Sequence, residues 1–513
     1  MIKKFKNILI NKKLFLILVI ILGITILFLS IISFSLGHQY NSDEVHLQTM
    51  FNNDSIFSGE VKWFGLSSFV FKLPFIYIAR IFANYSKFGI FLPTLMVNII
   101  SVCLYLWAST YFIKNLKLSK SRIVFPLWVL TLGGGFIFYL YNLNSRNIEI
   151  GLIFATLALT HKYISINISN RALYLWGAVF SLIWGIIMVS DNYYMYMFIA
   201  PFIIISFINY LVSREKKYLK LLALGIISLV FFYLFEYVYV KLNFIDYEST
   251  ISFGTYSQIT EKIYRLPEIL INFTGNNFFG QKATKLSSVK SLINSLVLIL
   301  GLAVSFISIK FNDKKGNFTY VPAIMIFGIF VWLISDRKFD YYLVLTPFFI
   351  GFILMQYQFK NNLINKIVIY VGVVAILLNT LFIMNSLKNN LKIQPKPNSY
   401  NYEIIESIKN EGYEYGYATF WESTINTYLS KDEVKFVQSK CLDGKIVVER
   451  WYLSQTDLYN NENGINFFVF NSSEPQGCSK EIIESQLGEP SKIKIVGNYY
   501  IYLYDKNLSE YIK

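Results

Sequence analysis

From Leu14 to Leu36 the chain runs without a single charged side chain. A stretch of that length and character is stable as a helix in hydrocarbon, where every backbone N–H and C=O must be bonded within its own segment. The lysines ahead of it, Lys3, Lys4, Lys6, Lys12 and Lys13, resemble the head of a secretory leader. The apolar run is longer than a leader's core, however, and lacks a small-residue cleavage site. It is read as a retained first span with its N-terminal side inside.

Ten more apolar blocks follow, near 88–113, 123–140, 148–164, 173–189, 194–211, 219–240, 289–309, 320–334, 341–357 and 367–387. Across 513 residues the chain is 54% hydrophobic and 18% aromatic, with mean hydropathy +0.45, which excludes a soluble enzyme. The net charge of +15 sits largely in short Lys/Arg clusters between the blocks, as membrane orientation requires, and is not a nucleic-acid footprint. With the N-terminus inside, the inner segments hold about 20 Lys/Arg and the outer loops about 12, although the outer loops are roughly twice as long. An odd number of spans then puts the C-terminal third outside.

The sequence therefore predicts a polytopic α-helical membrane protein of about 11 transmembrane helices. A membrane region, 1–388, has long outer loops at 37–87 and 241–288, and an extracytoplasmic α/β domain occupies 389–513. In the first loop, Val45 to Phe57 and Leu66 to Phe82 mix apolar and polar residues as surface helices do. The second, with Tyr247, Tyr256, Tyr264, Arg265, Phe278 and Phe279, has the polar-aromatic character of a segment that covers an interfacial site or forms an aromatic belt.

Charge on the outer side is concentrated in four places. Asp43-Glu44 follows the first span within a few residues, and adjacent acids there must face water, a cation or a substrate. Arg146 and Glu149 lie three apart at a helix start, where the carboxylate also suits the positive end of the helix dipole. Asp191 lies in Ser190-Asp191-Asn192-Tyr193-Tyr194, and the last cluster is Asp336-Arg337-Lys338-Phe339-Asp340-Tyr341-Tyr342. Any one of these also reads as a local salt bridge or membrane-edge anchor; together they converge on one face.

Beyond the linker Gln394-Pro395-Lys396-Pro397-Asn398 the pattern alternates. Helices fit Tyr402 to Asn410, Trp421 to Leu429 and Lys480 to Gln486. Strands fit Tyr415 to Ala418, Val434 to Val437, Lys445 to Val448, Asn466 to Phe470, Ser491 to Val496 and Tyr499 to Tyr504. No phosphate-binding glycine loop, nucleophile elbow or metal-ligand spacing occurs there, so a structural or acceptor-binding role is expected. Cys441 and Cys478 both lie in this part and are suited to pair in an oxidising compartment.

A first span, a long outer loop opening with Asp43-Glu44, about ten more spans and an outer soluble domain resemble the C-type superfamily of membrane glycosyltransferases, which includes protein O-mannosyltransferases and bacterial aminoarabinose transferases to lipid A. The resemblance covers roughly 1–388 and implies transfer of a sugar from a polyprenyl-phosphate donor to a cell-envelope acceptor on the outer face, with inversion. Carried over by position, Asp43 matches the family's general base and Glu44 its partner. A phosphate leaving group gains negative charge and needs cations, for which Arg146, Arg337 and Lys338 are candidates, with Arg337 favoured for its two-pronged fork. Glu149, Asp191 and Asp340 are candidates to orient those arginines or bind sugar hydroxyls, and Tyr341 or Tyr342 to stack on the sugar. The resemblance leaves metal use open. Superfamily oligosaccharyltransferases use a divalent cation, monosaccharide transferases largely do not, and Asp43, Glu44 and Asp191 offer the oxygen ligands a hard cation takes. His38 and His46, which flank the acidic pair, fit surface histidines better than ligands.

Two other classes compete. A transporter or flippase of a lipid-linked or anionic substrate would carry internal repeats or charges at mid-membrane, whereas the charges here cluster at one edge. A non-catalytic envelope assembly factor would need the outer domain and not the carboxylates.

Overall fold

The computed structural model describes residues 12–37, 39, 45, 69–83, 85–132, 147–165, 170–241, 252–273, 282, 284–309, 319–336, 343–392, 396, 398–448, 464–471 and 478–512. Each apolar block holds a helix: α1 (Lys12–Gly37), α3 (Lys87–Asn115), α4 (Val124–Leu130), α5 (Ile148–Ser165), α6 (Asn170–Ser190), α7 (Ala200–Ser213), α8 (Lys216–Lys241), α10 (Leu286–Ser308), α11 (Tyr320–Ile334), α12 (Thr346–Gln356) and α13 (Asn362–Asn390). Two more, α2 (Phe69–Ala83) and α9 (Tyr256–Asn272), fall in the two long loops. The first of the expected surface helices, apart from Val45, lies outside the described residues; the second range holds the helix α2, which packs against α3.

Among the described residues, six helical stretches are long and apolar enough to cross a membrane: Leu16–Gly37, Gly89–Asn115, Met195–Ser213, Lys216–Val238, Leu286–Ser308 and Asn362–Asn390. The protein is a membrane protein on that ground. Shorter apolar stretches among the described residues are Leu175–Ser190 within α6, Tyr320–Ile334 in α11 and Thr346–Gln356 in α12, the last only 11 residues long. Pro347 sits in the first turn of α12, where a missing N–H costs nothing, whereas Pro201 comes just after the π-helical turn Met195–Ile199. Along their middle turns, between Lys220 and Lys241 and between Lys366 and Asn385, the exposed side chains of α8 and α13 are apolar or aromatic, among them Val230, Leu234, Leu377 and Leu381, as a lipid-facing surface requires.

Inside the bundle the largest fully buried side chains include Trp128, Trp184, Trp332 and Tyr105. α3 lies against α1, α2 and α5, and α13 lies against α1, α4 and α10. The α3–α5 approach depends on Gly151, where a Cβ would come within 2.7 Å of the Ser101 Cα; close helix contact of this kind is the way small residues hold membrane bundles together. A buried polar chain ties α4 to α10 and α13. The Trp128 indole donates to Asn294 Oδ1 (2.8 Å), Asn294 Nδ2 to Asn379 Oδ1 (2.8 Å), and Asn379 Nδ2 to Thr131 Oγ1 (3.0 Å).

The C-terminal sheet region begins at α14 (Ser399–Lys409). It continues through β1 (Tyr415–Ala418), α15 (Phe420–Leu429), β2 (Lys435–Leu442), β3 (Lys445–Val448), β4 (Asn466–Asn471), α16 (Lys480–Leu487), β5 (Lys492–Val496) and β6 (Tyr499–Tyr504). The strands form one sheet in the order β3-β2-β1-β4-β6-β5. β1 pairs in parallel with β2 and β4, and the outer pairings are antiparallel. Strand periodicity sends successive side chains to opposite faces. Phe467, Val469, Ile501 and Leu503 therefore join one core with α14 and α15, while Phe468, Phe470, Tyr502 and Tyr504 join another with α16. A disulfide between Cys441 and Cys478 closes the second face. The first core also takes in Val45, from the loop after α1, and Ile90, from the start of α3.

Candidate functional site

Of the sequence-predicted site residues, Asp43, Glu44, Arg146, Arg337, Lys338, Asp340, Tyr341 and Tyr342 lie outside the described residues. Glu149 and Asp191 are described, as are the positions that flank each cluster: Val45, Asn147, Asp336 and Leu343.

Glu149 occupies the first turn of α5 and is fully buried. That turn is fixed from α3. Ser101 Oγ donates to the Asn147 carbonyl (2.5 Å) and accepts the Gly151 N–H (3.0 Å), and Asn147 Oδ1 accepts the Ile148 N–H (3.0 Å). A carboxylate in this position gains from the unpaired N–H groups of the helix start. The turn rims a small cavity between helices whose walls, Leu27, Val102, Tyr105, Leu130, Ile150 and Phe348, are apolar apart from Asn98 and Ser101.

Asp191 links α6 to the next helix. Its N–H donates to the Ile187 carbonyl (2.8 Å), its Oδ1 accepts the Tyr193 N–H (3.0 Å), and its own carbonyl accepts from Tyr194 (3.2 Å). This is the local side-chain-to-backbone bond that makes Asp a good helix starter. The following turn, Met195–Ile199, is π-helical, a geometry common at functional sites. Tyr193 and Tyr194 point into the core, where Tyr194 lies 6.1 Å from the Trp184 ring.

The last cluster follows a clamp that sequence reasoning missed. Ser252 and Asp336 exchange backbone and side-chain bonds: Asp336 N–H to Ser252 O (2.9 Å) and Ser252 Oγ to Asp336 Oδ2 (2.6 Å). The Gly254 N–H donates to Ile334 O (2.8 Å). From α9, the buried Lys262 ammonium donates to the carbonyls of Trp332 (2.8 Å) and Ser335 (2.5 Å) and lies 5.1 Å from the Trp332 ring centre. A cation at the end of α11 satisfies carbonyls that have no helical partner. Burial holds the Lys262 ammonium below its usual range, and Asp336 and Glu261 oppose that shift. The available signal was Lys262 sharing the inward face of α9 with Leu266 and Ile269 at four- and seven-residue spacing. On the outward face Tyr256 and Tyr264 are exposed, and Arg265 pairs with Glu261 at 3.5 Å in solvent, a contact of little energetic weight. Tyr247, Phe278 and Phe279 lie outside the described residues.

Among the described residues no group of three or more His, Cys, Asp or Glu side chains is arranged to hold a metal ion. Of the three carboxylates offered for a cation, Asp191 alone is described, and its Oδ1 holds the Tyr193 N–H.

No family profile and no curated protein matches the sequence. Among solved structures, the chain is similar to an Archaeoglobus fulgidus oligosaccharyltransferase, crystallised tethered with an acceptor peptide containing the NVT sequon via a disulfide bond. Identity is 11% and the TM-score 0.45, and the match covers 81% of this chain and 63% of that one. The chain thus spans less than two thirds of the other protein's length.

Proposed function

We propose that this protein is a membrane glycosyltransferase of the C-type superfamily, moving a sugar from a polyprenyl-phosphate donor to a cell-envelope acceptor on the outer face. The observation that carries the reading is the acidic pair Asp43-Glu44, placed just beyond the first long apolar helix and bracketed by Gln39 and Val45, both of which touch the C-terminal sheet region. The topology behind it is about eleven spans with the N-terminus inside and the sheet region, 389–513, outside as an extracytoplasmic domain. The Cys441–Cys478 disulfide supports that side, since such bonds persist in oxidising compartments.

In this reading Asp43 removes the proton from the acceptor hydroxyl as its oxygen attacks the anomeric carbon, and Glu44 orients it. The donor's sugar–phosphate bond breaks on the opposite face, so configuration inverts, and the departing phosphate takes up the electron pair. Arg337, Arg146 and Lys338 supply cations to that phosphate. Burial favours Glu149 as an arginine-orienting group over a sugar contact. Asp191 and Asp340 remain candidates for the sugar hydroxyls, and Tyr341 or Tyr342 for its ring face. No step is routed through a metal.

The test is Asp43→Asn in purified, lipid-reconstituted protein supplied with polyprenyl-phosphate sugars and candidate acceptors. Loss of transfer with donor binding retained is the expected result; unchanged transfer removes Asp43 as the base. The transporter reading draws on one feature, the seven-residue α4, short as the broken helices of transporters are. Movement of intact lipid-linked donor across a vesicle membrane would favour it.

A further inference from the structure

The C-terminal sheet has two faces and two edges, and three of these four surfaces are taken. On the first face lie α14 and α15, and this side docks on the membrane region: Val45 and Ile90 are part of its core, the Tyr85 hydroxyl donates to the Asp432 carboxylate, and Tyr428 donates to the Ser86 carbonyl (3.3 Å). On the second face α16 supplies Ile483 and Leu487 to the core around Phe468 and Tyr502. The strand order leaves β3 and β5 at the edges. The β3 edge is capped by one side chain. Gln486 Oε1 accepts the Ile446 N–H (2.7 Å) and its Nε2 donates to the Ile446 carbonyl (2.9 Å), the two bonds a neighbouring strand would make.

β5 is the open edge. Among the described strands it pairs with β6 alone, Val496 standing opposite Tyr499 across the two-residue turn Gly497-Asn498, where Gly497 takes the positive φ that such a turn needs (58°). The closing pair of this hairpin is hydrogen-bonded, so the bonded pairs recur at Lys494, and Ile493 and Ile495 aim their N–H and C=O groups away from β6. No described residue bonds those outward groups, and the two side chains are 45% and 62% exposed. Because Val496 joins the first core, Lys492 and Lys494 share its face and the two isoleucines take the other. Lys492 and Lys494 lie 2.7 and 2.6 Å from the same carboxylate, Glu411. Two ammonium groups on one carboxylate leave a net positive charge beside the open edge.

This pattern selects a partner. A strand added here bonds to Ile493 and Ile495 and sets one residue directly opposite Lys494. A second copy of β5 is disfavoured, since the antiparallel register that bonds Ile493 of one copy to Ile495 of the other puts Lys494 against Lys494, and like charges directly opposite are destabilising. An acid at that position, with an apolar residue on either side, pairs the charge and covers both isoleucines.

We propose that β5 is a docking strand for a partner polypeptide, which joins the sheet in extended form as a seventh strand and carries an acidic residue between two apolar ones. The transferase reading is not needed for this inference. It accounts for the unequal treatment of the two edges: Gln486 closes β3 to any strand, whereas the lysines of β5 bar self-pairing and leave the edge open to an acidic segment.

The experiment measures, by fluorescence anisotropy, binding of two short labelled peptides to the full-length protein in detergent, one centred on Val-Glu-Val and the other on Val-Lys-Val. The glutamate peptide is expected to bind saturably and about three-fold or more tighter than the lysine peptide, with the difference shrinking in high salt. Its addition should slow hydrogen exchange in fragments covering 491–497. Ile495→Pro removes an N–H that bonds nothing inside the sheet, so affinity should fall about ten-fold or more while β1, β4 and β6 keep their protection. Lys494→Glu should reverse the order of the two peptides, a readout that stands even if Ile495→Pro fails to fold. No saturable binding up to about 1 mM, equal affinity for the two peptides, wild-type affinity in a folded Ile495→Pro, or an unreversed order in Lys494→Glu overturns the proposal. So does a concentration-dependent dimer that Ile495→Pro abolishes, because β5 then pairs with a second copy.

Discussion

Asn294 is the hub of the polar chain through the bundle, and replacing it by leucine tests how much that chain contributes. Three bonds end on it: from the Trp128 indole (2.8 Å), to Asn379 Oδ1 (2.8 Å) and from Asn379 Nδ2 (3.1 Å). Side-chain hydrogen bonds between membrane helices average about 0.6 kcal/mol with a ceiling near about 1.7, so the two bonds to Asn379 together contribute about 1 kcal/mol. Leucine is close to asparagine in size, so cavity formation adds little. The Trp128 N–H, on a side chain with 0% exposure, then has no acceptor, at a cost of about 1–3 kcal/mol. Asn294→Leu should therefore lower the unfolding free energy by about 2–4 kcal/mol, read by titrating sodium dodecyl sulfate into mixed micelles and following tryptophan fluorescence. Asn379→Leu removes the same two asparagine–asparagine bonds, so the double variant should fall short of the sum by about 0.5 kcal/mol or more. An Asn294→Leu protein within about 0.5 kcal/mol of wild type, or strictly additive variants, would refute the network's role.

Two further outcomes follow from the sheet region. The Cys441–Cys478 bond closes a separation of 37 residues, for which chain entropy gives about 4 kcal/mol; Cys441→Ser should lower that region's thermal midpoint, and reductant should do the same to wild type but not to the variant. Burial raises the Asp432 carboxyl, against the opposing Tyr85 hydroxyl and Lys435 ammonium. A raised folded value means its contribution to docking is complete below the ordinary carboxylate range of about 4 and is lost as pH rises through the raised value. Proteolysis of the first outer loop in wild type should therefore increase across that window, and in Asp432→Asn the Asp432 component of the change should be missing.

The helices were legible because apolar blocks of this length have few alternatives in a bilayer, and the sheet region because short strands rich in aromatic and β-branched residues alternate with short helices. Errors fell where tertiary partners override local character. β2 continues through Gln438-Ser439-Lys440-Cys441 to Leu442, past the expected end at Val437. Its polar stretch is stabilised by Gln438 donating to Thr424 (3.1 Å) and Ser439 to the Ala418 carbonyl (3.1 Å). α14 starts at Ser399 rather than Tyr402. The cysteine pairing, left open by spacing, is made between β2 and the residues just before α16, a helix that lies against β3. Periodicity marks Lys262 as inward-facing but not its carbonyl partner 73 residues away, and the Tyr85–Asp432 contact, between residues 347 apart along the chain, leaves no local pattern at all.

Three joints between elements of the membrane region share one construction. Asn390 holds the Ser33 carbonyl near the end of α1, Ser101 holds the Asn147 carbonyl before α5, and Lys262 holds the Ser335 carbonyl after α11. Each is a side chain from one element bonded to the exposed backbone end of another, and each adjoins a charged cluster proposed for the site. Such bonds are strengthened where water is scarce, and they fix the backbone from which a side chain projects. An enzyme gains from that rigidity, since groups already aimed at developing charge need no reorganisation during the reaction. Alternating access needs one group of helices to rock against another, and the Trp128–Asn294–Asn379–Thr131 chain binds α4, α10 and α13 to one another, so in a transport cycle these three would have to move as one body or break those bonds.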